Sequence, residues 1–165
     1  AAAARLEPLM SAPSVAWSCL PFEALDVHRL YALMRLRVDV FIVEQTCPYP
    51  DLDGRDAQAG VWHLLGERAG QLQAYARLLP PGLGFDTPAI GRVIVSASAR
   101  GSGLAHALMK EAISHCEARW PDQPITLGAQ AHLQGFYAAH GFEVCSEGYL
   151  EDGIPHVDMR RAGSL

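Results

Sequence analysis

The sequence predicts a single α/β domain, and three observations carry that prediction. A length of 165 residues suits one domain with a sizeable core. Apolar residues recur at helical spacing in two separate stretches, with alternating and β-branched runs between and after them. One β-branched run, Ile90–Val95, passes through a glycine-bearing loop straight into the second helical stretch.

Taken in order, Val15–Cys19 reads as a short strand. Leu25, His28, Leu30, Leu33, Met34, Val38, Phe41 and Ile42 then mark one long helix, which stops near Cys47-Pro48 because proline constrains the residue before it. Tyr49–Gly60 is polar and turn-rich, and reads as a loop in which Asp51, Asp53 and Asp56 are turn residues. Val61–Leu65 and Leu72–Leu79 flank GERAG and read as a hairpin. In its second strand Leu72, Ala74, Ala76 and Leu78 alternate with Gln71, Gln73, Tyr75 and Arg77. Ile90–Val95 reads as a central strand. In Gly103–Arg119, Leu104, Leu108, Met109, Ala112, Ile113 and Cys116 form one helix face. Ile125–Leu127 is a short strand, and Leu133–His140 is a helix capped by Gly141. Phe142–Tyr149 and His156–Arg160 are two final strands joined by the turn EDGIP.

Composition narrows the function classes. The net charge is −5, from 13 Lys and Arg against 18 Asp and Glu, with no basic run of the kind nucleic-acid binding needs. No apolar stretch is long enough to span a membrane. Cys19, Cys47, Cys116 and Cys145 are scattered, without metal-ligand or disulfide-framework spacing, which points to a reducing cytoplasm and to no metal. Residues 1–13 are set aside as a flexible terminus or a non-native extension, with Met10 as a candidate natural start. Residues 14–165 then form the single domain.

The chemistry concentrates in SASARGSGLA, ahead of the second long helix. Gly101 and Gly103 allow close approach of backbone N–H groups to an anion, and the helix start supplies unpaired donors and a favourable dipole. A plain strand–turn–helix junction has the same look. Among phosphate sites, a P-loop would need GK[ST], which is absent. A dinucleotide fold would need a third glycine where His106 stands, and an acidic residue after the next strand. The string Arg100-x-x-Gly103-x-Ala105 instead resembles the coenzyme A pyrophosphate motif of the GNAT acetyltransferase superfamily, Gln/Arg-x-x-Gly-x-Gly/Ala. Downstream, QAHLQGFYAAHGF matches the GNAT helix that carries a tyrosine and ends in Gly-Phe, at Tyr137, Gly141 and Phe142. Gln130 stands where many members have Asn. With RVDVFIVEQTCPYPDLDG, AYARLLP, IGRVIVS and EDGIPH, the likeness is to the ElaA-type subgroup, from about Leu30 to Met159.

The resemblance implies a GNAT fold: a mixed, mostly antiparallel sheet splayed in the middle near Val95, with helices on both faces. It implies an acyl-CoA-dependent N-acetyltransferase, in which a neutral amine of a small molecule or peptide attacks acetyl-CoA directly. Backbone groups of Val93, Ile94 and Val95 would take the pantetheine arm, with a Val95 N–H as oxyanion donor. Arg100, Gly101, Ser102, Gly103, Leu104 and Ala105 would hold the pyrophosphate, with Gln130 nearby. Tyr137 would act as general acid toward the leaving thiolate, against the plain reading of a packing tyrosine. Glu44 is a candidate amine base, against an ion pair with Arg35 or Arg37. His63 is a cleft candidate or a satisfied core histidine, and His156 has no derived role. A regulator that binds acyl-CoA without turnover is the alternative. An acyl-homoserine-lactone-type synthase, faintly echoed by Arg37 and Phe41, ranks last. Oligomeric state is left open, a homodimer included.

Overall fold

The computed structural model describes residues 14–163; the sequence reading of residues 1–13 lies outside them. Its sheet has eight strands: β1 (Ala16–Pro21), β2 (Trp62–Arg68), β3 (Gln71–Leu79), β4 (Ala89–Val95), β5 (Ile125–Gln130), β6 (Phe142–Val144), β7 (Tyr149–Glu151) and β8 (Ile154–Arg161). The spatial order is β1-β2-β3-β4-β5-β8-β6, with β7 also on β8. All pairings are antiparallel except β4 with β5. Three α-helices complete the fold: α1 (Val27–Arg37), α2 (Leu104–Arg119) and α3 (Gln134–Ala138).

The sheet is covered on both sides. Leu108, Met109, Ala112 and Cys116 of α2 pack with Leu64, Ala74, Ala76 and Leu78. On the opposite face Leu33, with Met34 and Phe41, packs on Leu65, Tyr75 and Ile94. The alternation read in β3 is therefore present, but Tyr75 and Arg77 on its more polar face are buried too. Each large apolar side chain enclosed this way contributes roughly 1.5–3 kcal/mol.

The β4–β5 junction splits the sheet. Among the described residues, these strands pair only at Ala89 opposite Thr126, and Thr126 N–H donates to Pro88 O at 3.1 Å. Beyond that point they diverge. The cause lies in β4: Tyr75 pairs with Ile94 and Arg77 with Gly91, so β4 holds one extra residue. Arg92 sits in that bulge with φ 53°, and a bulge bends its strand.

Four local readings are corrected. The first helix is α-helical only to Arg37 and continues as a π-helix over Val38–Glu44, a form enriched at functional sites. GERAG is mostly strand; the two-residue turn is Ala69-Gly70, with both φ positive. Gly66 is needed for another reason, since a Cβ there would lie 2.6 Å from the Trp17 ring. Phe142–Tyr149 breaks into β6 and β7 because Asp158 N–H donates to the Ser146 hydroxyl at 2.8 Å, a side chain replacing a ladder carbonyl. The last turn is shorter than EDGIP: Asp152 and Gly153, both at positive φ, join Glu151 to Ile154.

Candidate active site

The divergence of β4 from β5 leaves one edge of β4 unpaired. Ser96 N–H donates to Gln73 O on β3, so by strand alternation the backbone groups of Val95 and Val93 face the open side. This orientation is visible directly at Val95, whose carbonyl accepts from Arg100 Nε at 3.3 Å. A single 3₁₀ turn, Ala97–Ala99, then leads to Gly101 and Gly103 at φ 82° and 79°. Gly103 is the N-cap of α2, and space is open where a Cβ would stand at either glycine. The Ser102 hydroxyl ties the loop to Ala99 O at 2.7 Å. The N–H groups that begin α2 have no helical partner and point where an anion would sit.

Two predicted site residues meet here in an arrangement the sequence did not reveal. Arg100 donates from both terminal nitrogens to Glu44, at 2.5 and 2.7 Å. Arg35 instead faces Asp39 at 3.7 Å, and Arg37 is committed elsewhere, so the predicted alternative partners of Glu44 are both replaced. The Arg100 hydrogen bonds hold the Glu44 carboxyl below the usual glutamate pKa. Both Glu44 oxygens are engaged, which makes this carboxylate a poor proton acceptor as it stands.

Tyr137 is buried on α3, edge-on to Phe136 and Phe142, with ring centroids 5.0 and 6.2 Å away. Burial pushes its hydroxyl up to about 12. It therefore keeps its proton at neutral pH, as a proton donor must. Gln130, at the end of β5, donates to Gln45 Oε1 at 3.3 Å and ties β5 to the end of the π-helix. Ile94 and Leu104 are buried in the core, so any contact to a ligand from their positions is through backbone.

The far half of the site is made of side chains. Arg37 is 0% exposed and binds Asp51 Oδ2 at 2.9 Å, Asp51 O at 2.7 Å and Asp56 Oδ1 at 2.5 Å. Burial opposes its charge, but Tyr75, Asp56 and Asp51 outweigh that and raise its pKa. Arg77 bridges Asp53 and Asp56, and Arg92 Nε lies 2.8 Å from Asp51 Oδ1 as an ion pair. Burial would raise Asp53 and Asp56, yet the arginine hydrogen bonds dominate and hold both below the usual range. The three aspartates read as turn residues are thus anchors of a charge network. The missed signal was an acidic loop in a chain whose helix and two strands each place an arginine on the same sheet face.

Two histidines are now separated. His63 is buried, bonded to Tyr75 Oη at 2.6 Å and Asp56 O at 2.9 Å, and is a satisfied core residue. His156 lies on the cleft wall. Both halves open into one cleft of about 1000 Å³, lined among others by Val95, Arg100, Tyr137, Arg92, Tyr149 and His156.

An open strand edge running into a glycine turn at a helix N-terminus is the architecture of an acyl-CoA-dependent transferase. A family model described as acetyltransferase (GNAT) domain matches residues 58–162, and the chain belongs to that family. Within it, the chain is similar to protein ElaA of Escherichia coli, at 47% identity over 89% of this chain and 96% of that protein. The crystal structure of that ElaA superposes with a TM-score of 0.84, covering 89% of this chain and 99% of the other at 46% identity. An acyl-CoA N-acyltransferase from Pseudomonas aeruginosa superposes with a TM-score of 0.86 at 49% identity, covering 90% of this chain and all (100%) of that one.

Proposed function

We propose that the protein transfers an acetyl group from acetyl-CoA to the amine of a small molecule or peptide. The observation that carries this reading is the unpaired edge of β4 ending in the glycine turn at the start of α2. In this reading the backbone of Val93 and Val95 pairs with the pantetheine arm as an added strand. The N–H groups from Gly101 to Ala105 hold the pyrophosphate, with Arg100 assisting through the donors that its pair with Glu44 leaves free. The Val95 N–H faces the thioester carbonyl as oxyanion donor. Tyr137 protonates the leaving thiolate. The free cysteines suit a reducing compartment, and a cytoplasmic location is part of the proposal.

The test measures binding and turnover separately. Acetyl-CoA at about 100 times its Kd stabilises the fold by about 2.7 kcal/mol, read as a rise in Tm, and NAD gives none. Thiol release with a panel of primary amines proceeds in the wild type. It falls in Tyr137→Phe by about 10²-fold or more while the acetyl-CoA shift is kept. Binding of acetyl-CoA with no thiol release for any amine would favour a non-catalytic binder.

A further inference from the structure

The transfer chemistry needs a neutral amine, and most amines arrive protonated at neutral pH. Something must accept that proton, and Glu44 is tied to Arg100. On the opposite wall of the same cleft, β8 presents His156. Its Nδ1 lies 2.7 Å from Ile154 O. A carbonyl can only accept, so Nδ1 carries the hydrogen and Nε2 of the neutral ring keeps its lone pair. The ring stacks on Tyr149, with centroids 5.9 Å apart and planes at 22°. The Tyr149 hydroxyl is itself held by Asp158 Oδ1 at 2.6 Å. Gly128 makes this possible, because a Cβ there would come within 3.1 Å of that hydroxyl. The imidazole is thus fixed in tautomer and plane, and its side chain is 11% exposed.

Placement agrees with the chemistry. His156 is directly opposite Gln130 in the β5–β8 register, so the two share a sheet face and line the cleft together. Glu151 Oε2 stands 3.5 Å from Nε2, so a carboxylate lies beside the nitrogen that takes the proton. Other ionisable groups lining the same cleft are Tyr149, Asp152, His132 and Cys47, and Asp158 reaches the site through the Tyr149 hydroxyl.

Resting on the acyltransferase reading above, we propose that His156 Nε2 is the proton acceptor for the acceptor amine. The ammonium gives one proton to Nε2. The freed nitrogen attacks the thioester carbonyl carbon, the C–N bond forms and the C–S bond breaks. The thiolate takes the Tyr137 proton, and the second nitrogen proton restores Tyr137 through solvent. His156 then releases its proton to solvent, so one proton leaves per acetyl group transferred.

The experiment compares wild type with His156→Gln, using acetyl-CoA and two acceptor sets: alkyl amines, protonated near neutral pH, and weakly basic hydrazides, already neutral there. The variant loses about 10²-fold or more in kcat/KM with alkyl amines. It loses far less with the hydrazides, recovers toward wild type as pH rises, and keeps the acetyl-CoA thermal shift. Nitrogen-15 NMR of the wild-type imidazoles, a readout independent of turnover, finds His156 with hydrogen on Nδ1. Equal losses with both acceptor sets, wild-type rates in the variant, or an Nε2–H tautomer would overturn the assignment and leave the acyltransferase reading intact. A wild type that releases no thiol with either set would overturn both.

Discussion

The two halves of the cleft are built by opposite means. The side proposed for the cofactor, from Val93 to Ala105, is backbone: an open strand edge, two glycines at positive φ, and the first donors of a helix. The opposite side is side chain, with Arg37, Arg77 and Arg92 held against Asp51, Asp53 and Asp56 from three elements and a loop. A backbone site presents the same donors whatever side chains surround it. A side-chain site can be retuned by single substitutions, while its buried charges tie its shape to the stability of the whole domain.

The largest effect is expected where the charged side enters the core. Arg37→Met leaves Asp51 and Asp56 buried with fewer partners, and a loss of about 3–5 kcal/mol is expected in urea unfolding. The acetyl-CoA shift should persist in the folded fraction. On the cofactor side, Gly103→Ala forces a Cβ into left-handed backbone at φ 79°. The expected loss there is about 1–2 kcal/mol, with a weakened acetyl-CoA shift. If Arg37→Met abolished cofactor binding while Gly103→Ala spared it, the division between the halves would be wrong.

The smallest effect is a pH dependence. Burial, with Arg37 and Arg77, lowers the pKa of His63 in the folded state, against the carbonyl of Asp56. A depressed histidine favours the fold when neutral, so that contribution is complete above the unfolded value of about 6.5 and is lost as pH falls below it. Asp53 and Asp56, also depressed, add losses only at still lower pH, beneath the ordinary aspartate range. Tm should therefore decline in two acid steps, and His63→Gln should remove the first. A single step confined to the carboxylate range would place His63 outside the network.

How much of this was legible varies by element. α2 and Tyr137 were readable because local motifs carry them: a helix face, a glycine turn and FYAAHGF lie within short stretches of chain. The Glu44–Arg100 pair was not, because its members are 56 residues apart in sequence. The burial of Arg77 was not legible from its alternation, since period-2 patterning shows which residues share a face but not whether a helix covers it. The π-helical end of the first helix has no local signal at all, as its apolar spacing differs from an α-helix only over a single turn.

The chain by itself therefore determined its fold class, the glycine turn at the start of α2 and the short helix that carries Tyr137. These follow from local backbone preference and short-range spacing. Only the tertiary structure decided which carboxylate is engaged, and which histidine is buried and which faces the cleft. Each of those depends on charges and strands distant in sequence meeting in a low-dielectric interior, where partners are set by packing rather than by spacing.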